Sequence, residues 1–284
     1  MSIDSGNKSA LISVEELSSL IGKEKVKIFD VRGTWKTPAR ALKDDYLADH
    51  IPGSVFLDWT KHFIEPGVPL NLASVAPIDL ANNSFESLGI NSEDLVVLYD
   101  DYFHMFAGRI WWAMKYWGLS QVKVLNGGWN HWKRQNLPTS STPEPIKKGS
   151  FQACCQDDLR TSLKDFLIKK DNSYVIDARG SANYQGKPQD LRSGHIPGSV
   201  SIPYKDLLSE ETGLFLPPSH IKNLLSEIVP KWQSTPLIAS CGSGYAGTVL
   251  MLAMRELGRS SSLFDESFAV WKQDPARPVE QGKS

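Results

Sequence analysis

Of the three cysteines in this 284-residue chain, Cys241 has surroundings that could do chemistry. It stands in Pro236-Leu-Ile-Ala-Ser-Cys241-Gly-Ser-Gly-Tyr-Ala-Gly247, and the mostly apolar run from Thr248 to Leu257 follows at once. An apolar strand therefore delivers a thiol into a Gly-rich loop that opens a helix. Gly242, Ser243, Gly244 and Gly247 leave room for successive backbone amides to curl around the sulfur. The helix N-terminus adds the positive end of a dipole. Such surroundings favour the thiolate, the form in which cysteine sulfur is nucleophilic. The competing reading is a buried structural cysteine at a strand end. Small residues throughout the loop weigh against it.

Two reactions suit a thiolate in an amide cradle. Phosphate monoester hydrolysis needs an Arg six residues after the Cys, whose planar fork holds the transferred group. That position is Gly247, and the next Arg is Arg255, well inside the helix. In sulfur transfer the thiolate becomes a persulfide and hands its outer sulfur to an acceptor. The amides of residues 242 to 247 could hold the persulfide anion without a side-chain cation.

The elements that must position this loop occur twice. Lys27-Ile-Phe-Asp-Val-Arg-Gly33 resembles Tyr174-Val-Ile-Asp-Ala-Arg-Gly180, and His50-Ile-Pro-Gly-Ser-Val55 recurs as His195-Ile-Pro-Gly-Ser-Val200. Leu95–Tyr99 matches Pro236–Ser240; Ala113, Met114 and Gly118 match Ala253, Met254 and Gly258; Trp132 answers Trp271. Matches in the same order indicate a duplication. The offset of 140 residues between the Ala-Met-Gly sets makes Asp101 the counterpart of Cys241, with Asp100 or Tyr102 one residue away. The first half is thus expected to lack the reaction and to wall the site.

Within each half, short strands (Val26–Val31, Leu95–Tyr99, Val122–Leu125; Tyr174–Ala178, Leu237–Ser240) alternate with amphipathic helices such as Val14–Leu20 and Leu163–Ile168. That alternation predicts an α/β fold with a mostly parallel sheet flanked by helices in each half. Ligand sites then fall at strand C-termini, where Cys241 lies. The expected boundaries are 8–137 for the first domain, 138–149 for a Pro-rich extended linker, and 150–284 for the second. Cys154 and Cys155 match no metal-ligand spacing and read as strand residues opening the second half. Trp111, Trp112, Tyr116 and Trp117 read as helix core.

Composition narrows the function classes. A formal net charge of −1 with no basic stripe disfavours nucleic acid and anionic membrane. Three cysteines give no disulfide framework and point to a reducing compartment. The first ten residues lack the apolar core of a secretory signal, and no apolar run reaches membrane-spanning length. The expectation is a soluble cytoplasmic protein.

The motifs together, Asp-Ala-Arg, Gly-His-Ile-Pro-Gly-Ser-Val and strand-Cys-Gly-Ser-Gly-helix with a degenerate first copy, resemble the tandem-domain rhodaneses. Cys241-Gly-Ser-Gly244 is similar to the active loop of 3-mercaptopyruvate sulfurtransferases, whereas thiosulfate-type rhodaneses usually carry cations after the Cys. The resemblance spans about Ser13 to Trp271. It implies two rhodanese-like domains, the second catalytic, with no metal or organic cofactor. It also implies a small-molecule sulfur donor and, as acceptor, a small thiol, cyanide or a thioredoxin-like protein. Cys241 matches the persulfide-forming nucleophile and Ser243 the loop serine coupled to a His and an Asp of the first domain. His50 and Asp45 are the candidates for that pair, although His195 in the same turn makes a structural role for His50 the rival reading. Gly242, Gly244, Tyr245, Ala246 and Gly247 would line the substrate subsite. Arg192 matches one carboxylate-binding Arg; the other position holds Asn183, an amide without charge, with Lys187 nearby. Arg32 and Arg179 are expected to pair with Asp30 and Asp177. Two departures bear on the pocket: Tyr245 is bulky for its place, and Glu266-Ser-Phe268 stands where the first half has Gly127-Gly-Trp129. Thiosulfate sulfurtransferase and a non-catalytic binding module are the alternatives.

Overall fold

The computed structural model describes residues 9–72 and 74–283. Each half contains one five-stranded, all-parallel sheet. In the first, the spatial order is Leu11–Ile12, Val122–Leu125, Leu95–Tyr99, Val26–Asp30, Ser54–Phe56. In the second it is Arg160–Thr161, Ser262–Phe264, Leu237–Ser240, Tyr174–Asp177, Val200–Ser201. The two orders are identical, so the repeat read in the sequence is a repeat of topology.

Alternation along the central strands assigns each face its own core. Val96 and Leu98 join the large cluster shared by both halves, while Val97 and Tyr99 face the outer cluster with Trp129 and Trp132. Leu237 and Ala239 likewise face the shared core, and Ile238 the outer cluster around Phe264 and Trp271. The shared core brings the halves together through the helices Met105–Tyr116 and Ala246–Glu256, which contact each other directly. A Cβ on Gly108 would lie 2.7 Å from Thr248 Oγ1, so a side chain there would push the two helices apart. Trp111, Trp112, Tyr116 and Trp117 are buried in this core, as their apolar run predicts.

Both Asp-x-Arg motifs form ion pairs at the end of a strand, the first buried and the second with its Arg half-buried. Arg32 reaches Asp30 at 2.7 Å and Arg179 reaches Asp177 at 2.5 Å. Each guanidinium also donates to a loop carbonyl, of Asp49 and Gly194 respectively, and lies over an aromatic ring, Trp129 or Phe268.

The Pro-rich stretch after Leu137 is extended but is tied along the first half. Ser140 bridges to His50, and Gly149 N–H donates to Glu86 O. In the second half Glu280 bridges to His195 in the same way. Cys154 and Cys155 are exposed and fall in irregular chain rather than a strand; the first strand of this half begins at Arg160. The Cys154 amide instead bonds the Trp117 carbonyl, which holds that chain against the shared core.

Candidate active site

Cys241 is the first residue after the central strand Leu237–Ser240, and its loop runs to the helix that begins at Ala246. The loop folds back because Gly244 takes φ +78°, a conformation other residues rarely adopt. A Cβ there would also sit 2.6 Å from the Asp265 carbonyl. The fold-back aims the Gly244 N–H at Cys241 Sγ, 3.1 Å away. The sequence suggested several amides around the sulfur; among the described residues Gly244 is the amide that reaches it.

The remaining support comes from the first turn of the short helix Ser267–Trp271. Ser267 Oγ accepts the Cys241 N–H at 3.2 Å, donates to Phe264 O at 2.8 Å and lies 3.8 Å from the sulfur. Phe268 and Ala269 donate their amides to Cys241 O and Gly242 O, at 3.0 and 2.9 Å. Ser267 holds φ +52° where its counterpart Gly128 has φ +55°, so a serine accepts a glycine conformation here. Sequence reading missed this residue. Its signal was the substitution of Ser267 for a glycine of Gly127-Gly-Trp129.

The Cys241 residue is 1 % exposed, yet it lines the floor of a cleft of about 610 Å³ between the halves. Of the anticipated residues, Asn183, Gly242, Ser243, Tyr245 and Ala246 line the cleft with it. Lys187 does too, joined by Lys272, Arg179, Trp35, Met105, Tyr204 and Phe268, of which none was singled out for the subsite. Trp35 reaches in from the small antiparallel hairpin Gly33–Thr34/Arg40–Ala41 of the first half. Gly247 serves packing instead. A Cβ there would meet Leu263 Cδ1 at 2.8 Å, so its smallness lets the helix lie on the sheet.

Three anticipated residues lie elsewhere. His50 is fully buried, stacked on Tyr46 at 4.1 Å, with Nδ1 2.6 Å from Tyr46 O and Nε2 3.2 Å from Thr142 O. His195 repeats the arrangement on Tyr184, with Nδ1 2.9 Å from Tyr184 O. The His of the His-Ile-Pro-Gly turn thus ties the turn to the preceding helix, and the geometry does not support a proton relay through it. Asp45 lies in the helix Lys43–Ala48 and makes no hydrogen bond to His50 or Ser243 among the described residues. Arg192 is corrected as well. Its guanidinium donates to the carbonyls of Lys272, Asp274 and Arg277, at 2.7 to 3.1 Å, closing the chain after the helix Ser267–Trp271.

Tyr245, bulky for its place, leaves the loop toward the first half. Its ring meets Trp35 edge-on at 4.9 Å and Trp59 at 5.5 Å. Burial pushes its phenol well above the ordinary range, and its hydroxyl has no hydrogen-bond partner among the described residues. Glu266 is held by Arg160 at 3.2 Å; burial and then neighbouring Asp265 raise its carboxyl, against the pull of Arg160.

The first half shows what replaced the thiol. The strand ends at Tyr99 and Ser240 correspond, so Asp100, rather than Asp101, takes the place of Cys241. The helix after it has twelve residues against eleven, which shifts the downstream matches by one. Asp100 Oδ1 accepts the amides of Tyr102 and His104, and Oδ2 those of Phe106 and Ala107, at 2.8 to 3.0 Å. A carboxylate thus occupies this cradle and leaves no nucleophile in it. No group of three or more potential metal ligands occurs among the described residues.

A profile of the rhodanese-like domain matches residues 13–135 and again 159–274. The chain belongs to the rhodanese family. The mouse protein named 3-mercaptopyruvate sulfurtransferase is 31% identical over 97% of this chain and 95% of its own length. The bovine thiosulfate sulfurtransferase is 28% identical over 96% of each chain. Among solved structures, a 3-mercaptopyruvate sulfotransferase of Escherichia coli superposes with TM-score 0.81 at 25% identity, covering 91% of this rhodanese and 98% of that chain. No helix of the described residues is long and apolar enough to cross a membrane.

Proposed function

We propose that this rhodanese is a sulfurtransferase that takes sulfur from 3-mercaptopyruvate through a persulfide on Cys241. The observation that carries the reading is the sulfur at the floor of an interdomain cleft, with the Gly244 N–H directed at it from 3.1 Å. The thiolate attacks the donor's sulfur, and the bond from that sulfur to C3 breaks. Its electron pair passes to the enolate of pyruvate, which takes up a proton to give pyruvate. The outer sulfur of the resulting persulfide is then attacked by an acceptor thiolate or cyanide, which leaves with it and returns Cys241 as thiolate.

The loop from Gly242 to Gly247 carries no cation but does carry Ser243, which lines the cleft. That pairing supports mercaptopyruvate over thiosulfate, because only mercaptopyruvate leaves as an enolate that a hydroxyl can help protonate. Lys187 and Lys272 on the second-half wall are the cations for the donor's carboxylate, with Asn183 as a neutral donor. This places the charge that Arg192 was expected to supply on lysines. The acceptor is a small thiol or a thioredoxin-like protein. Three free cysteines suit a reducing compartment, and we assign the protein to the cytoplasm.

The test compares kcat/KM for the two donors in the wild type and in Ser243→Ala. A higher wild-type value with mercaptopyruvate, and a loss in the variant confined to that donor, fits the reading. A higher value with thiosulfate would assign the protein to the other branch of the family. No turnover with either would leave a binding module.

A further inference from the structure

Among the described residues, the first half keeps one group that touches the active loop by a charged bond. Arg109, in the helix Met105–Tyr116, is buried, and its Nη1 donates to Asp265 Oδ1 at 2.6 Å and to Gly244 O at 3.3 Å. Its guanidinium is stacked against Trp112 at 4.6 Å and lies 5.3 Å from the Tyr245 ring, so its direction is fixed from both sides. Gly244 is the residue whose N–H reaches Cys241 Sγ. We propose that Arg109 is a positioning residue for the nucleophile of the other half, holding Gly244 by its carbonyl so that its amide stays on the sulfur.

The bland account is an ion pair that joins the halves. Two observations weigh against that being its whole role. The charge of Asp265 is not left to Arg109 alone: its Oδ2 accepts Arg160 Nε at 3.1 Å and the Val75 N–H at 2.9 Å, while Arg109 takes Oδ1. Moreover, the partner helix has buried Leu250 or Val249 at the position matching Arg109, by the offset at the start or at the end of the helices, so an apolar side chain suffices at the equivalent place. A buried cation is costly and is not in general the more stable choice. What distinguishes the Arg109 side is the loop it meets. Gly244 has no side chain to hold it, and glycine moves readily away from a φ of +78°, so an external anchor decides how long the amide stays on the sulfur. The inference rests on Cys241 acting as a thiolate but not on the identity of the donor.

Arg109→Lys keeps a cation for Asp265, but its stem is one bond shorter to the terminal nitrogen, so an ammonium drawn to the Asp265 carboxylate does not also reach the Gly244 carbonyl. The measurement is the rate of iodoacetamide alkylation of Cys241 across pH, which needs no sulfur donor, alongside steady-state kinetics and thermal melting. Loss of the anchor slows alkylation near neutral pH by roughly tenfold, the worth of one charge-assisted hydrogen bond. It also moves the alkylation profile to higher pH. The kcat for sulfur transfer falls by a similar factor, while KM for the donor changes less than about twofold. If Arg109→Lys does not fold, the Arg109→Met/Asp265→Asn variant removes both charges together and carries the same measurement. A wild-type alkylation profile in a folded variant, even with a lowered melting temperature, overturns the proposal and leaves Arg109 a structural weld. Failure of the wild type to turn over mercaptopyruvate and thiosulfate would instead strike the sulfurtransferase reading.

Discussion

Asp100 and Cys241 occupy one and the same point in the two halves of the molecule. Each follows the central strand of its sheet, and each backbone carbonyl accepts an amide from the first turn of a short helix, Trp129 of Gly128–Arg134 at 2.8 Å and Phe268 of Ser267–Trp271 at 3.0 Å. The difference is in the side chain. Two loop amides and two from the first turn of the following helix close on the Asp100 carboxylate, whereas one amide and a serine hydroxyl attend the sulfur, leaving it a face toward the cleft. Duplication thus produced one half that satisfies its loop internally and one that exposes it to substrate.

Asp101, the neighbour left over from this arrangement, is a destabilising group at neutral pH. Burial and then the adjacent Asp100 raise its carboxyl to about 6, and its Oδ1 has no hydrogen-bond partner among the described residues. A carboxyl raised in the folded state binds more protons there than in the unfolded chain, so its contribution to stability falls as pH rises from about 4 to about 6. Asp101→Asn removes that penalty. Urea unfolding at pH 7 will show a gain on the order of 1 kcal/mol that disappears toward pH 4.

His50 serves the fold. Replacing it with Ala strands the Tyr46 carbonyl, 2.6 Å from Nδ1, and costs about 1–3 kcal/mol of stability. Below the variant's melting temperature, the rate at which mercaptopyruvate loads Cys241 stays within about twofold of wild type, the change expected of a residue that makes no transition-state contact. Stopped-flow loading, measured beside thermal melting, checks both halves of this statement. A large loss of loading in a folded variant would restore the relay.

Much of this was open to sequence reading and some of it was not. Strand period, the two Asp-x-Arg motifs and the Cys241 loop are local signals, and local chemistry set them. The helix Val14–Leu20 begins at a Ser13–Glu16 capping box, which a sequence displays. What failed depended on distant packing. Arg192 looked free to bind a carboxylate because the carbonyls it serves lie some eighty residues further on. His50 was a relay candidate through the resemblance, with the repeated turn as the rival reading; the carbonyls of Tyr46 and Thr142 that it faces are placed by packing, which no side-chain pattern reveals. The Asp101 offset failed because one residue is gained inside a helix, after the loop that mattered.

Cations on the cleft wall separate binding from stability. Lys272→Ala raises KM for mercaptopyruvate by about three- to tenfold with kcat little changed, as expected when an exposed ionic contact made equally in ground and transition states is lost. Arg192→Ala lowers the melting temperature through its unpaired carbonyls and raises KM less than Lys272→Ala does. Steady-state kinetics of the two variants, compared at equal ionic strength, check the assignment. A larger KM effect from Arg192 would return the carboxylate to that residue.

The most direct test is intact-mass spectrometry of the protein after incubation with each donor and no acceptor. Mercaptopyruvate is expected to add one sulfur atom to the wild type, which peptide mapping places on Cys241 and an acceptor thiol removes, and Cys241→Ser, still folded, gains none. Sulfur appearing on Cys154 or Cys155 instead, or a wild-type mass unchanged by mercaptopyruvate, would contradict a persulfide on Cys241.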